Sequence, residues 1–166
     1  TPQTDARTEF TPWHITFGTY GARLHGDRRP TVDRDHNQVG EPFLTPDATR
    51  KQQAGGRMRF PPVAFSIEQR RFIEATLPTL CERGGWRLLA CAAASDHVHL
   101  VCDVAAEVHG ERVRRLVKRW LTQALNEHWP LAEGARWWAE EGSNKAIKDE
   151  AYLRNAVAYV KRQRAC

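Results

Sequence analysis

The chain has little that would staple, anchor or export it. Its 166 residues include four cysteines, and Cys81, Cys91, Cys102 and Cys166 show no C-x-x-C spacing. That excludes a disulfide framework and a zinc ribbon. Cys91 and Cys102, inside apolar strand-like runs, read as small core residues in a reducing compartment. The longest uncharged apolar run, Leu88 to Ala94, is far short of the ~20 residues that span a bilayer, so no membrane partner is expected. Thr1-Pro2-Gln3-Thr4-Asp5 offers neither the basic start nor the apolar stretch of a secretory signal, and a cytoplasmic location is expected. There is no internal repeat and no low-complexity segment.

What is present suits one globular domain over residues 1–166. Apolar residues make up 41% and charged residues 27%, too apolar for general disorder, and a chain this long buries roughly two-thirds of its unfolded surface. The net charge is +5, and arginine supplies 20 of the 25 positive side chains. Arginine suits bidentate phosphate contacts and stacking on bases. The same composition also follows from a GC-rich coding sequence, so clustering has to decide.

Residues 1–12 read as a tail. Trp13 to Tyr20 alternates, with aromatic and β-branched residues, and predicts a first strand. From 21 to 62, Gly, Pro, Asp, Asn and Arg dominate without apolar period, which predicts an insertion loop. Ser66-Ile67-Glu68-Gln69 is a capping box opening a helix that Gly84-Gly85 stop, with Pro78 expected to kink it or start a second turn. Trp86 to Ala94 and His97 to Val104 predict a hairpin turning at Ser95-Asp96. Val113, Leu116, Val117, Trp120, Leu121, Ala124, Leu125 and Trp129 form one helical stripe. Arg136 to Ala139 reads as a fourth strand, and Asp149 caps a last helix with Leu153, Ala156, Val157 and Val160 on one side. Strand, helix, strand, strand, helix, strand, helix predicts an α+β, ferredoxin-like split β-α-β antiparallel sheet. Its helices are expected on one face, with an extra C-terminal helix.

Two constellations could carry chemistry. In Asp96-His97-Val98-His99-Leu100-Val101, strand alternation projects His97 and His99 from one face while Val98, Leu100 and Cys102 enter the core. Two imidazoles so placed can share one divalent metal ion; a solvent-facing strand carries such a pair as well. In Tyr159-Val160-Lys161-Arg162-Gln163, the tyrosine and the glutamine lie one turn apart. At about 100° per residue they fall near 240° and 280°, on the flank of an apolar stripe centred near 350°. An amphipathic tyrosine at a helix border fits that position too. Tyr152 lies two turns earlier, but its i+4 partner is Ala156, which makes it the weaker candidate.

Taken together, His97-Val98-His99 on a central strand and Tyr159-x-x-x-Gln163 on the last helix resemble the single-tyrosine HUH transposases, small bacterial insertion-sequence enzymes and their REP-associated relatives. The resemblance runs over most of the chain. It takes in Trp13 to Phe17, Leu24-His25-Gly26-Asp27, Asp33 to Asn37 and the order of elements. It implies that His97, His99 and Gln163 hold Mg²⁺ or Mn²⁺ and that Tyr159 is the nucleophile. The implied product is a 5′-phosphotyrosine link with a free 3′-hydroxyl. It further implies single-stranded or hairpin DNA as partner, a homodimer, and a bacterial, nucleoid-associated location.

The residue types suit that chemistry. A phenol, with a pKa of ~10, is a weak nucleophile at neutral pH, and a divalent cation offsets this by stabilising charge on the phosphoryl group. Two neutral imidazoles and an amide leave that cation its full charge. Arg112, Arg114, Arg115, Lys118 and Arg119 form a basic helix face suited to a phosphate backbone, or simply a solvated one. Arg136, Lys145 and Lys148 offer a second DNA-contact zone, while the neighbouring Trp137 and Trp138 read as core. His14, His25, His36, His109 and His128 are given no role. A histidine-triad hydrolase would need a third histidine where Val101 stands, and a cyclic phosphodiesterase two separated H-x-[ST] motifs. The remaining rival is a non-catalytic DNA-binding module or repressor.

Overall fold

The structure, a computed structural model, describes residues 10–22 and 59–165. Residues 1–9 of the expected tail, most of the 21–62 segment with both of its singled-out stretches, His25, His36 and Cys166 lie outside those residues. Seven elements follow one another: β1 (Phe10–Thr19), α1 (Ile67–Gly84), β2 (Arg87–Ala93), β3 (His97–Ala105), α2 (Gly110–His128), β4 (Trp138–Ala146) and α3 (Glu150–Arg162). The strands make one antiparallel sheet in the order β2-β3-β1-β4, the expected split β-α-β arrangement.

Alternation decides the two faces. Trp13, Ile15 and Phe17 of β1 and Val98, Leu100, Cys102 and Val104 of β3 meet the apolar sides of α1 and α2, through Ile73, Leu77, Val117 and Leu121 among others. Gly110 lets α2 start hard against the sheet: a Cβ there would sit 2.4 Å from the Trp13 ring. On the opposite face a smaller core forms where Ala90, Ala92, Val101 and Ile147 meet Ala156 and Val160 of α3. The last helix therefore lies on the other side of the sheet from the first two, because Val101 and its neighbours give that face an apolar patch.

Three expectations shift. The strand begins at Phe10, so residues 10–12 belong to the sheet and not to a tail. The fourth strand starts at Trp138 and runs to Ala146, past the aromatic pair; its exposed edge tolerates the polar Glu140 to Lys145 stretch that hid it. The α1 helix opens on the capping box of Ser66 and Gln69, both bonds present, and is not divided at Pro78. Pro78 lacks the N–H that would bond the Glu74 carbonyl, and Cys91 Sγ, 3.8 Å from that oxygen, donates to it instead.

The 21–62 segment leaves and rejoins the sheet at one place. Val63 N–H donates to the Tyr20 carbonyl at 2.9 Å, Thr19 Oγ1 donates to the Val63 carbonyl at 2.7 Å, and Gly21 takes the turn at a φ of 76°. Among the described residues no helix is long and apolar enough to cross a membrane.

Candidate active site

Strand β3 places His97, His99 and Val101 on the face that α3 partly covers. Opposite His99 stand Thr16 of β1 and Ala92 of β2, and opposite Val101 stands His14. Paired residues of an antiparallel sheet point the same way, so β1 adds His14 and Thr16 to the two histidines of β3.

Each histidine of the pair is held through its Nδ1. His97 Nδ1 lies 2.7 Å from Asp96 Oδ1; the carboxylate only accepts, so Nδ1 donates and Nε2 is the ring nitrogen turned away from that bond. His99 is 5% exposed, and its Nδ1 lies 3.1 Å from Thr16 Oγ1 and 3.3 Å from His14 Nε2. Its Nε2 is buried without a hydrogen-bond partner. Burial, then the neighbouring His97 and His14, push the His99 imidazole down to about 3. His14 is likewise lowered, by burial first and then by Lys145. Both rings are therefore neutral near pH 7, the form that binds metal.

The tyrosine comes from α3, the helix packed on this same face. Asp149 caps α3 by accepting from Tyr152 N–H, and Ala156 and Val160 bury its apolar side. Tyr159, next to Val160, is 43% exposed, and its ring meets His99 edge-on at 88°, 5.5 Å between centres. His97 and His99 stand 4.7 Å apart, also edge-on. Among the described residues the α3 ring that meets His99 belongs to Tyr159 and not to Tyr152. Gln163 is the C-cap of α3, its N–H bonded to the Val160 carbonyl at 2.9 Å; its amide makes no hydrogen bond among the described residues.

An ion would find a donor set here of a particular kind. No group of three or more His, Cys, Asp or Glu side chains is placed to hold a metal among the described residues, so two imidazoles would need oxygen ligands of another type. The residues fit that role: one imidazole is oriented by a carboxylate, the other by a hydroxyl and a third imidazole. Metal-binding histidines are commonly oriented in this way. The buried, unsatisfied His99 Nε2 is costly unless something binds it.

His14 was missed by sequence reading. Its signal was the alternation of β1, which sets it opposite Trp13, Ile15 and Phe17; what was lacking was the β1–β3 register. His109 caps α2 by accepting from Glu111 N–H, and His128 packs against Phe72, both structural.

The basic residues divide between the two faces. Arg112, Arg115 and Arg119 are exposed on α2, on the helix-covered side of the sheet and away from the histidines. Lys118, expected on that face, turns inward: its Nζ donates to the carbonyls of Ala139, Glu140 and Glu141 at 2.8, 3.3 and 3.2 Å. Burial first, then Arg114, pulls it down to about 8. Arg114 Nη1 donates to Asn144 Oδ1 at 2.6 Å. Exposed Lys145 pairs in register with His14 and so shares the histidine face. Arg136 is exposed and pairs with Glu140 at 3.3 Å, and Lys148 is exposed just beyond β4. Trp137 and Trp138 are buried, with Trp137 Nε1 donating to Asn126 and Trp138 Nε1 to Thr122.

No protein-family model matches the chain, and no curated protein matches it. Among solved structures it is similar to a protein of Deinococcus radiodurans R1 assigned as a transposase, at a TM-score of 0.52 and 12% identity over 100% of both chains. It is also similar to a REP-associated tyrosine transposase bound to a REP hairpin, at a TM-score of 0.48 and 14% identity, over 92% of this chain and 65% of that one. The likeness to the Deinococcus protein shows the architecture: this chain has a transposase-like α+β fold.

Proposed function

We propose that this chain is a DNA-processing enzyme of the single-tyrosine HUH type, cutting and rejoining single strands through Tyr159. The observation that carries this reading is the Tyr159 ring set edge-on against His99, a buried imidazole whose Nε2 has no partner. The likeness of fold is consistent with it.

In the proposed reaction the Tyr159 hydroxyl oxygen attacks a backbone phosphorus. The phenolic proton passes to solvent, the bond from phosphorus to the 3′-oxygen breaks, and that oxygen leaves to become a 3′-hydroxyl. The product is a 5′-phosphate ester of Tyr159, whose bond energy lets a 3′-hydroxyl reverse the step without an external energy source. His97, His99 and Gln163 would hold Mg²⁺ or Mn²⁺, which when bound supplies stabilisation of charge on the phosphoryl oxygens. Asp96, Thr16 and His14 orient the two imidazoles from behind. Lys145, on the open half of the same face, supplies fixed positive charge for an incoming phosphate, while Arg112, Arg115 and Arg119 would hold backbone further away. The second copy of a homodimer would double the strand-binding surface.

The experiment is to incubate the protein with a hairpin-bearing single-stranded oligonucleotide and Mn²⁺ and to look for an adduct that resists SDS. Its appearance supports the reading. Tight hairpin binding without an adduct would instead favour a non-catalytic DNA-binding module.

A further inference from the structure

The open edge of the sheet carries a cluster with no part in the site described above. Among the described residues β2 pairs with β3 alone, so its outer edge offers backbone groups to whatever approaches. Glu74 of α1 reaches that edge and is 5% exposed. Its Oε2 accepts from Ala93 N–H at 2.9 Å and from Ala165 N–H at 2.8 Å. Arg164 Nε lies 3.9 Å from Glu74 Oε1, and Arg164 Nη1 donates to the Cys91 carbonyl at 3.5 Å. Arg70 Nε donates to the Ala93 carbonyl at 2.7 Å. One carboxylate thus ties α1, on one face of the sheet, to the residues that follow α3 on the other.

Helix α3 needs such a tie. Its fully buried residues are Ala156 and Val160, with Leu153 and Val157 partly buried beside them; all four lie before residue 161, and helix ends fray when nothing holds them. Tyr159 sits beside Val160, so any roll of α3 moves its ring relative to His99. Glu74 is itself fixed twice to β2, by its carboxylate on Ala93 and by its own carbonyl, freed by Pro78, on Cys91 Sγ.

We propose that Glu74 is a positioning residue for Tyr159: its carboxylate latches the end of α3 around the β2 edge and so sets the tyrosine ring against His99. This rests on the reading of Tyr159 as the nucleophile. The latch works through hydrogen bonds to backbone, which has a consequence for the choice of variant. Ala165→Pro removes the N–H donor and leaves Glu74 untouched. Glu74→Gln keeps an oxygen acceptor and serves as the conservative control, and Glu74→Ala removes both acceptors.

The test uses the full chain and two readouts. The first is the NMR shift of the His99 ring proton, which the Tyr159 ring current sets, with Tyr159→Ala as the reference for a lost ring. The second is the single-turnover rate of adduct formation against oligonucleotide concentration. Ala165→Pro is expected to move the His99 resonance toward the Tyr159→Ala value and to slow the adduct step roughly 10- to 100-fold. The half-saturating oligonucleotide concentration should stay unchanged, and Glu74→Gln should retain most of both signals. An unmoved resonance in Ala165→Pro overturns the latch, as does a moved resonance with an unchanged adduct rate. Should Glu74→Ala fail to fold, Ala165→Pro decides alone. Should the unmodified protein form no adduct, the nuclease reading falls, and the resonance still decides whether the latch sets the ring.

Discussion

Tyr159 and His99 stand with their rings at 88° and their centres 5.5 Å apart, one on the last helix and the other on a central strand. The helix is held by Ala156 and Val160, the strand by a core on both of its faces. A phenol therefore borders a buried imidazole without being buried itself, and it is 43% exposed to solvent.

Tyr159→Phe removes the oxygen proposed as the nucleophile and keeps the ring. The SDS-resistant adduct should vanish while hairpin affinity, measured by filter binding, changes less than about 3-fold. Tyr152→Phe should leave the adduct intact; its loss there, and its persistence in Tyr159→Phe, would move the nucleophile to Tyr152.

Asp96→Asn and Thr16→Val act from behind the imidazoles. Each should weaken Mn²⁺ binding by about 10-fold or more in a calorimetric titration, with far-ultraviolet circular dichroism unchanged. Equal affinity in both variants would mean that His97 and His99 do not hold the ion.

Lys118→Met tests a clamp. Losing three bonds to the carbonyls at the start of β4 should cost about 1 to 2 kcal/mol in a urea titration, with little effect on the salt dependence of DNA binding. A fall in salt slope equal to that of Arg115→Glu would place Lys118 on DNA after all.

Lys145→Glu and Arg115→Glu lie on opposite sides of the sheet. Arg115→Glu should weaken hairpin binding and flatten its salt dependence by about one unit of slope. Lys145→Glu, beside His14, should slow adduct formation more than it weakens binding. The reverse order would put the scissile phosphate on the α2 side.

Gly110→Ala places a methyl against Trp13 at the start of α2. Overpacking there should destabilise the protein by about 1 to 3 kcal/mol. A neutral result would show that the Trp13 ring can turn aside.

The parts legible in the sequence were those written in local periods. The β3 alternation separated His97 and His99 from Val98 and Leu100, and the α3 period put Tyr159 on a flank, as the structure has it. What was illegible depended on pairing across the chain. His14 joins His99 through a register that no local pattern encodes. Lys118 is turned inward by carbonyls of β4, a strand whose polar run resembles a loop, and Glu74 meets Ala165 from the other side of the sheet.

The bond between Val63 and the Tyr20 carbonyl has a practical corollary for anyone reshaping this molecule. Because Tyr20 and Val63 are already bonded to each other, the ends of this connection are brought together by the sheet itself, and each doubling of a flexible connection's length costs only about 0.6 kcal/mol in closure entropy.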